Sequence, residues 1–541
     1  MVYALILQAL NMKAKVRIKK INGIEYWYED TPYYDREKKQ IRHKSKYLGK
    51  NIDNQIVRVR QEKMVPAGKG VSLAPKAALT HGNLIVVQNI VQELSMLETL
   101  NKIFNEIERD TVLALAYNRV LRPTAMCNVQ SWFEGSSLWL SNPDLPLSSQ
   151  RISELLENIG RSNIPDQFMA DFCSKINPGA ILLYDITSFS SNSQLINLLE
   201  YGYNRDGDGL PQINFSLVVD KERGIPVRYE IYPGSIADIT TLDNTLQRLK
   251  ATGLEKFQLI IDRGFCSQIT LATLFDDEIP FIMPATVKLN SIKQLMSDSL
   301  NKVKNAVNLH KFGKDSIFSM PVTLNHYYDL EKNPRMLTVK GYCFYDPKRE
   351  QDEREAFFLQ LHDTMERLEN YHPKNLKTPH QAAKGILKGF TNYVTWKFVN
   401  GKFEVKPKQN AITQRLNKMG KFILLYQGDL DWITCLTLYR QRDAVEKCIM
   451  AMKDFLGALP LNVQKDETVK GFLFIVFLGM IIRTKLHLMM KENGLAKQFS
   501  VEKMLLELEK IKKYQLENGE IMVSEVTKKN RVILEAFNLC A

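Results

Sequence analysis

The stretch that decides the fold reads AILLYDITSF at residues 180–189 and begins a series of short apolar segments. ILLYDIT (181–187), QINFSLVVD (212–220) and VRYEIY (227–232) have the composition of strands. DITTLDNTLQRLK (238–250) then has helical spacing, and FQLIID (257–262), SQITLATLFDD (267–277) and FIMPAT (281–286) continue as strand, helix and strand. This order predicts a mixed sheet flanked by helices.

Two carboxylates follow apolar runs in this region. Asp185 closes the apolar part of ILLYD, and Asp262 closes LIID. The element order matches a ribonuclease H-like core with a five-stranded mixed sheet, in which the first and fourth strands are neighbours. That pairing would bring Asp185 beside Asp262. An acidic group at the end of a buried strand is costly unless something binds it.

A second informative segment is YRQRDAVEKCIMAMK at residues 439–453, which contains neither Gly nor Pro and predicts one helix. On a helix, Arg442, Glu446 and Lys453 lie within about 60° of the direction of Tyr439. Taken alone, this ribbon also fits a solvated face joined by helical salt bridges. Together with Asp185 and the second strand-end aspartate, however, a helical glutamate completes an oxygen ligand set for divalent cations.

The spacing of the helical segment carries a family resemblance. Tyr439, two residues, Arg442, three residues, Glu446, six residues and Lys453 resemble the Y-R-E-K signature of DDE transposases from bacterial and archaeal insertion sequences, the insertion-sequence-four-like group.

The two aspartates extend this resemblance to three ordered motifs. Asp185 with Thr187 is similar to the first catalytic motif of that family, and Asp262 with Gly264 and Phe265 is similar to the second. The resemblance covers residues 184–284 and 424–459 well and the rest of the chain loosely.

The resemblance implies that Asp185, Asp262 and Glu446 are both the catalytic residues and the metal ligands. They would hold two Mg²⁺ or Mn²⁺ ions, which activate water for in-line attack on a phosphodiester. The freed 3′-OH then replaces water as the nucleophile. The implied cycle is strand nicking, hairpin formation, hairpin resolution and strand transfer into target DNA.

The other signature residues imply contacts with DNA. Tyr439, Arg442 and Lys453 would bind phosphates of the transposon end, because a guanidinium fork and an ammonium suit phosphate oxygens. The implied partners are double-stranded DNA, as terminal inverted repeats and as target, and a second copy of the chain in a synaptic homodimer. Two alternatives stay open: a nuclease of the same fold without strand transfer, and a non-catalytic DNA-binding regulator derived from a transposase.

Composition agrees with a polyanionic partner. The 541 residues carry a formal net charge of +13, and residues 1–70 hold 16 Lys and Arg against 7 Asp and Glu. The seven cysteines form no CxxC pair, which argues against a zinc module or a disulfide framework. The apolar run GFLFIVFLGMII (471–482) is too short to cross a bilayer and predicts a buried helix. We therefore expect a cytoplasmic, nucleoid-associated protein that is not in a membrane.

Seven segments are predicted along the chain, one of them a long insertion at residues 288–421. Trp396 or Trp432, in or near that insertion, would either stack on an unpaired base or fill the local core. The fold class is α/β: a ribonuclease H-like core interrupted by a long insertion and preceded by a basic β-rich segment and a helical DNA-binding region. The segments are a basic β-rich segment (1–65), a linker (66–79), the helical region (80–178), the first part of the core (179–287), the insertion subdomain (288–421), the second part of the core with the Glu446 helix (422–490) and a helical tail (491–541).

Overall fold

The computed structural model describes residues 14–21, 24–35, 38, 40–52, 55–57, 75–202, 209–286, 289–330, 333–372, 378–459, 461 and 463–539. The chain divides into two compact units, Met1–Ala74 and Pro75–Ala541. Residues 66–74 of the predicted linker lie outside the described residues.

The first unit contains a four-stranded antiparallel sheet in the order β1-β2-β3-β4. Alternating apolar and cationic residues favour strands here, and the rings of Tyr28 and Tyr47 pack with centroids 5.4 Å apart. Arg17 Nε lies 2.8 Å from Asp30 Oδ2 across the sheet. The strands are β1 (Lys15–Ile21), β2 (Ile24–Asp35), β3 (Gln40–Ile52) and β4 (Gln55–Val57).

The second unit contains the remaining described elements. Its strands are β5 (Pro75–Thr80), β6 (Ala180–Ser190), β7 (Gln212–Asp220), β8 (Ile225–Pro233), β9 (Phe257–Ile260), β10 (Phe281–Pro284), β11 (Leu309–Phe312), β12 (Asp315–Leu330), β13 (Asn333–Tyr345), β14 (Val394–Val399), β15 (Lys402–Pro407), β16 (Lys421–Tyr426), β17 (Lys512–Leu516) and β18 (Ile521–Val523). Its helices are α1 (Gly82–Glu93), α2 (Met96–Asn101), α3 (Glu106–Leu121), α4 (Val129–Glu134), α5 (Ser149–Arg161), α6 (Ile164–Cys173), α7 (Asp238–Ala251), α8 (Gln268–Asp276), α9 (Asn290–Leu300), α10 (Pro347–Glu369), α11 (Pro379–Leu387), α12 (Gln409–Leu416), α13 (Trp432–Arg440), α14 (Asp443–Asp454), α15 (Asp466–Glu492), α16 (Val501–Leu508) and α17 (Lys528–Ala536).

The centre of this unit is a nine-stranded mixed sheet in the order β11-β12-β13-β16-β10-β9-β6-β7-β8. Strand β9 pairs in parallel with both β6 and β10, and the other pairs are antiparallel. The expected neighbourhood of the first and fourth strands is thus confirmed. Helices flank both faces, because α14 packs against β6 and β7, while Thr241 of α7 bonds Tyr184 on the other face of β6.

The long insertion differs from the separate subdomain that the sequence suggested. Its strands β11, β12 and β13 extend the central sheet through β16 instead of forming a sheet of their own. Only its later part, including α10, α11, α12 and the β14–β15 hairpin, has a second hydrophobic core. Trp396 packs against Phe403 in that core, with ring centroids 5.5 Å apart. Its ring therefore fills the local core, which was the alternative to base stacking.

Two segments contain strands that the sequence reading did not anticipate. Residues 75–79, placed in the linker, belong to β5, and the tail expected to be helical contains β17 and β18. The three strands form one sheet in the order β18-β17-β5. Local sequence does not reveal this pairing, because β5 and β17 lie more than 400 residues apart and β5 pairs along its length with β17.

Helix α15 is the buried helix predicted from the apolar run. Among the described helices it alone is long and apolar enough to cross a membrane, yet 78% of its most apolar window is buried inside the protein. It crosses α5 so closely that a Cβ on Gly471 would lie 2.0 Å from Leu156 O. Glycine at this crossing therefore permits direct contact between the two helix backbones.

Candidate active site

Asp185 lies inside β6, which continues to Ser190, rather than at the end of the strand as its apolar run suggested. Alternation along the strand sends the preceding Tyr184 to the opposite face, where its ring meets Phe265 at 5.1 Å. The Asp185 side chain is 16% exposed. The residue therefore places a mostly buried carboxylate on one face of the central sheet.

Asp262 follows β9 by two residues and precedes a 3₁₀ turn at Arg263–Phe265. The parallel register pairs Leu183 with Ile260. Asp185 and Asp262 each lie two residues further along these strands, so the two residues are level with each other. The sequence prediction of neighbouring carboxylates is therefore matched by the sheet register.

The segment 439–453 is not one continuous helix. Helix α13 ends at Arg440 and α14 begins at Asp443. Between them, Arg442 N donates to Tyr439 O and Val445 N donates to Arg442 O, both at 3.0 Å. These i to i+3 bonds tighten the backbone as in a 3₁₀ turn. The prediction of a single helix was wrong at this point, although the four signature residues remain in one local region of the fold.

Arg442 is the centre of the site. Its Nη1 lies 3.2 Å from Asp185 Oδ2, its Nη2 lies 3.6 Å from Asp262 Oδ1, and Nη2 also pairs with Glu446. Three carboxylates from a strand, a post-strand turn and a helix therefore meet at one guanidinium. For Arg442 the sequence predicted a DNA contact or, as the alternative, a helical salt bridge, and its i to i+4 spacing to Glu446 was the signal for that ion pair. The contacts of Arg442 with Asp185 and Asp262 were not predicted.

Burial and neighbouring charges shift the pKa values of Asp185 and Arg442. Burial raises the pKa of Asp185 to about 6, although Arg442 and the Ile186 N–H lower it. Burial lowers the pKa of Arg442, but the charges of Asp262, Asp185 and Glu446 outweigh that effect and the pKa is raised. The guanidinium is therefore charged, and it offsets one of the three negative charges around it.

The other two signature residues occupy different positions. Tyr439 lies beside the cluster: burial raises its pKa, Arg442 lowers it and Asp262 raises it. Lys453 lies in the last turn of α14, with its Nζ 5.9 Å from the centroid of the Phe189 ring of β6. The structure therefore places Tyr439 beside the carboxylates and Lys453 away from them, near the end of β6.

Histidines near the insertion give little support for a second metal centre. Within the described ranges, one group of His and acidic side chains has ligand atoms within 4.8 Å of one another: His362, Asp363 and Glu366, all exposed on α10. This is a solvated helix face.

Trp432, at the start of α13, stacks on His310 with ring centroids 4.5 Å apart.

A strand-borne aspartate, a second aspartate after the neighbouring parallel strand and a glutamate from a later helix define the DDE class of site. The family described as "Transposase DDE domain" matches residues 179–482, and this chain belongs to that family. No curated protein matches the chain. One solved structure with detectable similarity is described as a cryo-EM structure of the piggyBac transposase synaptic complex with hairpin DNA; it is 12% identical, the match covers 79% of each chain, and the TM-score is 0.35.

Proposed function

We propose that this chain is the transposase of a prokaryotic insertion sequence of the Y-R-E-K group. It binds the terminal inverted repeats of its element and catalyses metal-dependent strand cleavage and strand transfer. The observation that carries the proposal is the meeting of Asp185, Asp262 and Glu446 at one guanidinium. The strand order β8-β7-β6-β9-β10 supports a ribonuclease H-like core beneath them.

The proposed cofactors are two Mg²⁺ or Mn²⁺ ions held by Asp185, Asp262 and Glu446. The donor set fits them, because all three side chains offer hard carboxylate oxygens from different elements. Three carboxylates and the Arg442 guanidinium leave a net negative charge that divalent cations would offset. When bound, such ions activate water and stabilise the leaving 3′ oxygen.

The chain's own residues have separate proposed roles. Asp185, Asp262 and Glu446 would hold the cations, which would supply charge for the reacting phosphodiester. With cations at these carboxylates, the Arg442 guanidinium would be available for a bidentate contact with a phosphate of the transposon end. Tyr439, beside Arg442, and Lys453, along β6, would bind further phosphates of the same end.

The proposed partners are end DNA, target DNA and a second copy of the chain in the synaptic complex. The first unit supplies exposed cationic strands, including Lys15, Arg17 and Lys19 on β1, which suit sequence-independent phosphate contacts. The proposed location is the cytoplasm, in association with the nucleoid.

The test is incubation of the purified full chain with its element's end duplex and Mg²⁺, followed by a denaturing gel. We expect nicks, hairpins and joined products that disappear in Asp185→Ala, Asp262→Ala and Glu446→Ala. Asp443→Asn is the matched control, because Asp443 lies on the same helix but is exposed and paired with Lys447. That variant should cut as the wild type does.

Two other results would change the assignment. Cleavage without joined products would favour a nuclease of the same fold. End binding without any cleavage, even with Mn²⁺, would favour a DNA-binding regulator derived from a transposase.

A further inference from the structure

A buried arginine outside the DDE site lacks a carboxylate partner. Three arginines are more than nine-tenths buried among the described residues: Arg119, Arg228 and Arg483. Arg228 pairs with Asp166 and Glu230, and Arg483 pairs with Glu502. Arg119, on α3, forms no ion pair within the described part of the chain. A buried charge without a counter-charge is costly, so such a site favours binding of an anion.

The guanidinium of Arg119 is only partly satisfied. Its Nη2 donates to Asn118 Oδ1 and to the carbonyl oxygen of Thr124. Its Nε is buried without a partner, and its Nη1 donates no hydrogen bond to any residue that the structure describes. Burial lowers the pKa of Arg119 to about 10, so the side chain remains charged at neutral pH.

Nη1 faces a cavity. A Cβ on Gly457 would lie 3.3 Å from this nitrogen, and Arg119 and Gly457 both line a cavity of about 360 Å³. That volume is roughly ten times the space that one water occupies in the liquid. Cys127, which also lines the cavity, is exposed to solvent, so a ligand can enter.

The cavity lies close to the end of the helix that carries Glu446. Gly457, which lines it, comes three residues after α14 ends at Asp454. The eight residue steps from Glu446 to Asp454 rise about 12 Å. Since successive phosphates of one strand advance about 3.4 Å along a duplex, this helical stretch corresponds to roughly four base steps, and the cavity lies at or beyond its end.

We propose that the Arg119 cavity binds a backbone phosphate of the transposon end, several base steps from the phosphodiester that is cut. Arg119 donates through Nη1 to a phosphate oxygen, and the phosphate supplies the negative charge that the protein lacks there. This inference rests on the proposed function, because it assigns an additional DNA contact to the same protein.

The first test combines uncharged phosphate analogues in the DNA with the replacement of Arg119 in the protein. The full chain is titrated with end duplexes that carry one uncharged methylphosphonate at successive positions. In the wild type, one position roughly four or more steps from the cut should weaken binding about tenfold. Arg119→Met should bind unmodified DNA about tenfold more weakly and should be insensitive at that position. Arg122→Met, which removes an exposed charge at the end of the same helix, should keep the sensitivity.

A second measurement needs no substitution and therefore does not depend on the folding of a variant. Cys127 is the one exposed cysteine among those that the structure describes, and its alkylation rate by iodoacetamide reports on access to the cavity. Saturating end duplex should slow this rate at least severalfold, whereas inorganic phosphate at the same phosphate concentration should slow it much less.

The outcomes separate this inference from the proposed function. Tight end binding with an unprotected Cys127, or with an Arg119→Met variant that keeps every methylphosphonate sensitivity, would overturn the phosphate contact alone. Protection by inorganic phosphate but not by DNA would identify a free anion as the ligand and would also overturn it. Loss of all DNA binding by the wild type would overturn both.

Discussion

Replacing Arg442 by glutamine should tighten divalent-metal binding in the DNA-free protein. The guanidinium lies 3.2 Å from Asp185, lies 3.6 Å from Asp262 and pairs with Glu446. Cations can reach these oxygens only after the three ion pairs separate. At somewhat under 1 kcal/mol for each pair, the free-energy cost of separating the three pairs totals about 2 kcal/mol. Removing this cost corresponds to roughly thirtyfold tighter binding of divalent cations.

The assay is calorimetric titration of the DNA-free protein with Mn²⁺ at pH 8. This pH lies well above the wild-type pKa of Asp185, about 6, and leaves room for the rise in that pKa that we expect when the Arg442 charge is removed. Arg440→Gln is the matched control: Arg440 is two residues away but pairs with Asp346, 2.8 Å distant. We expect wild-type affinity in that control. Equal or weaker Mn²⁺ binding by Arg442→Gln would refute the idea that its guanidinium competes with the cations.

Four further outcomes follow from the structure. Glu446→Gln should abolish cleavage while preserving end binding in a gel shift, whereas Arg442→Ala should weaken the end complex; equal loss of binding in both would contradict the separation of roles. Burial raises the folded-state pKa of Asp185 to about 6, above the usual value of 3.8 for an aspartate, so this carboxyl lowers the stability of the metal-free protein as pH rises through that interval. Asp185→Asn should therefore raise the free energy of unfolding at pH 8 by up to about 3 kcal/mol. Urea denaturation measures this change, and no gain would argue against a destabilising buried carboxylate. Cleavage by the wild type should fall as pH drops below about 6. Gly471→Ala should lower the free energy of unfolding by about 2 kcal/mol or more, because its Cβ would clash with a helix backbone. Gly385→Ala, in an open helical position, should leave stability unchanged or raise it. Similar melting temperatures for the two variants would contradict the close helix crossing.

Part of the site was predictable from local sequence. Asp185 and Asp262 follow apolar runs whose strand character is decided by neighbouring residues, and the parallel register then makes them level. The Tyr439-to-Lys453 spacing was likewise visible in the sequence. The helix break at Gln441 and Arg442 was not, because every residue there is an ordinary helix former and the tightened turn accompanies contacts with distant carboxylates.

The unpaired charge of Arg119 had only a weak sequence signal, a single cation in the apolar helical run VLALAYNRVL. Whether such a residue faces solvent, an acidic partner or a cavity depends on what packs against α3, here the segment containing Gly457. The pairing of β5 with β17 belongs to the same category.

Local sequence was enough to predict the order of strands and helices in the core, the three candidate acidic residues and the basic character of the chain. These features depend on periodicity, composition and spacing, which are local properties. Only the tertiary structure decided that Arg442 lies among the carboxylates, that the insertion extends the central sheet and that Arg119 is buried without a counter-charge. Each of these depends on segments far apart in sequence, whose contacts are selected by burial and charge compensation over the whole fold.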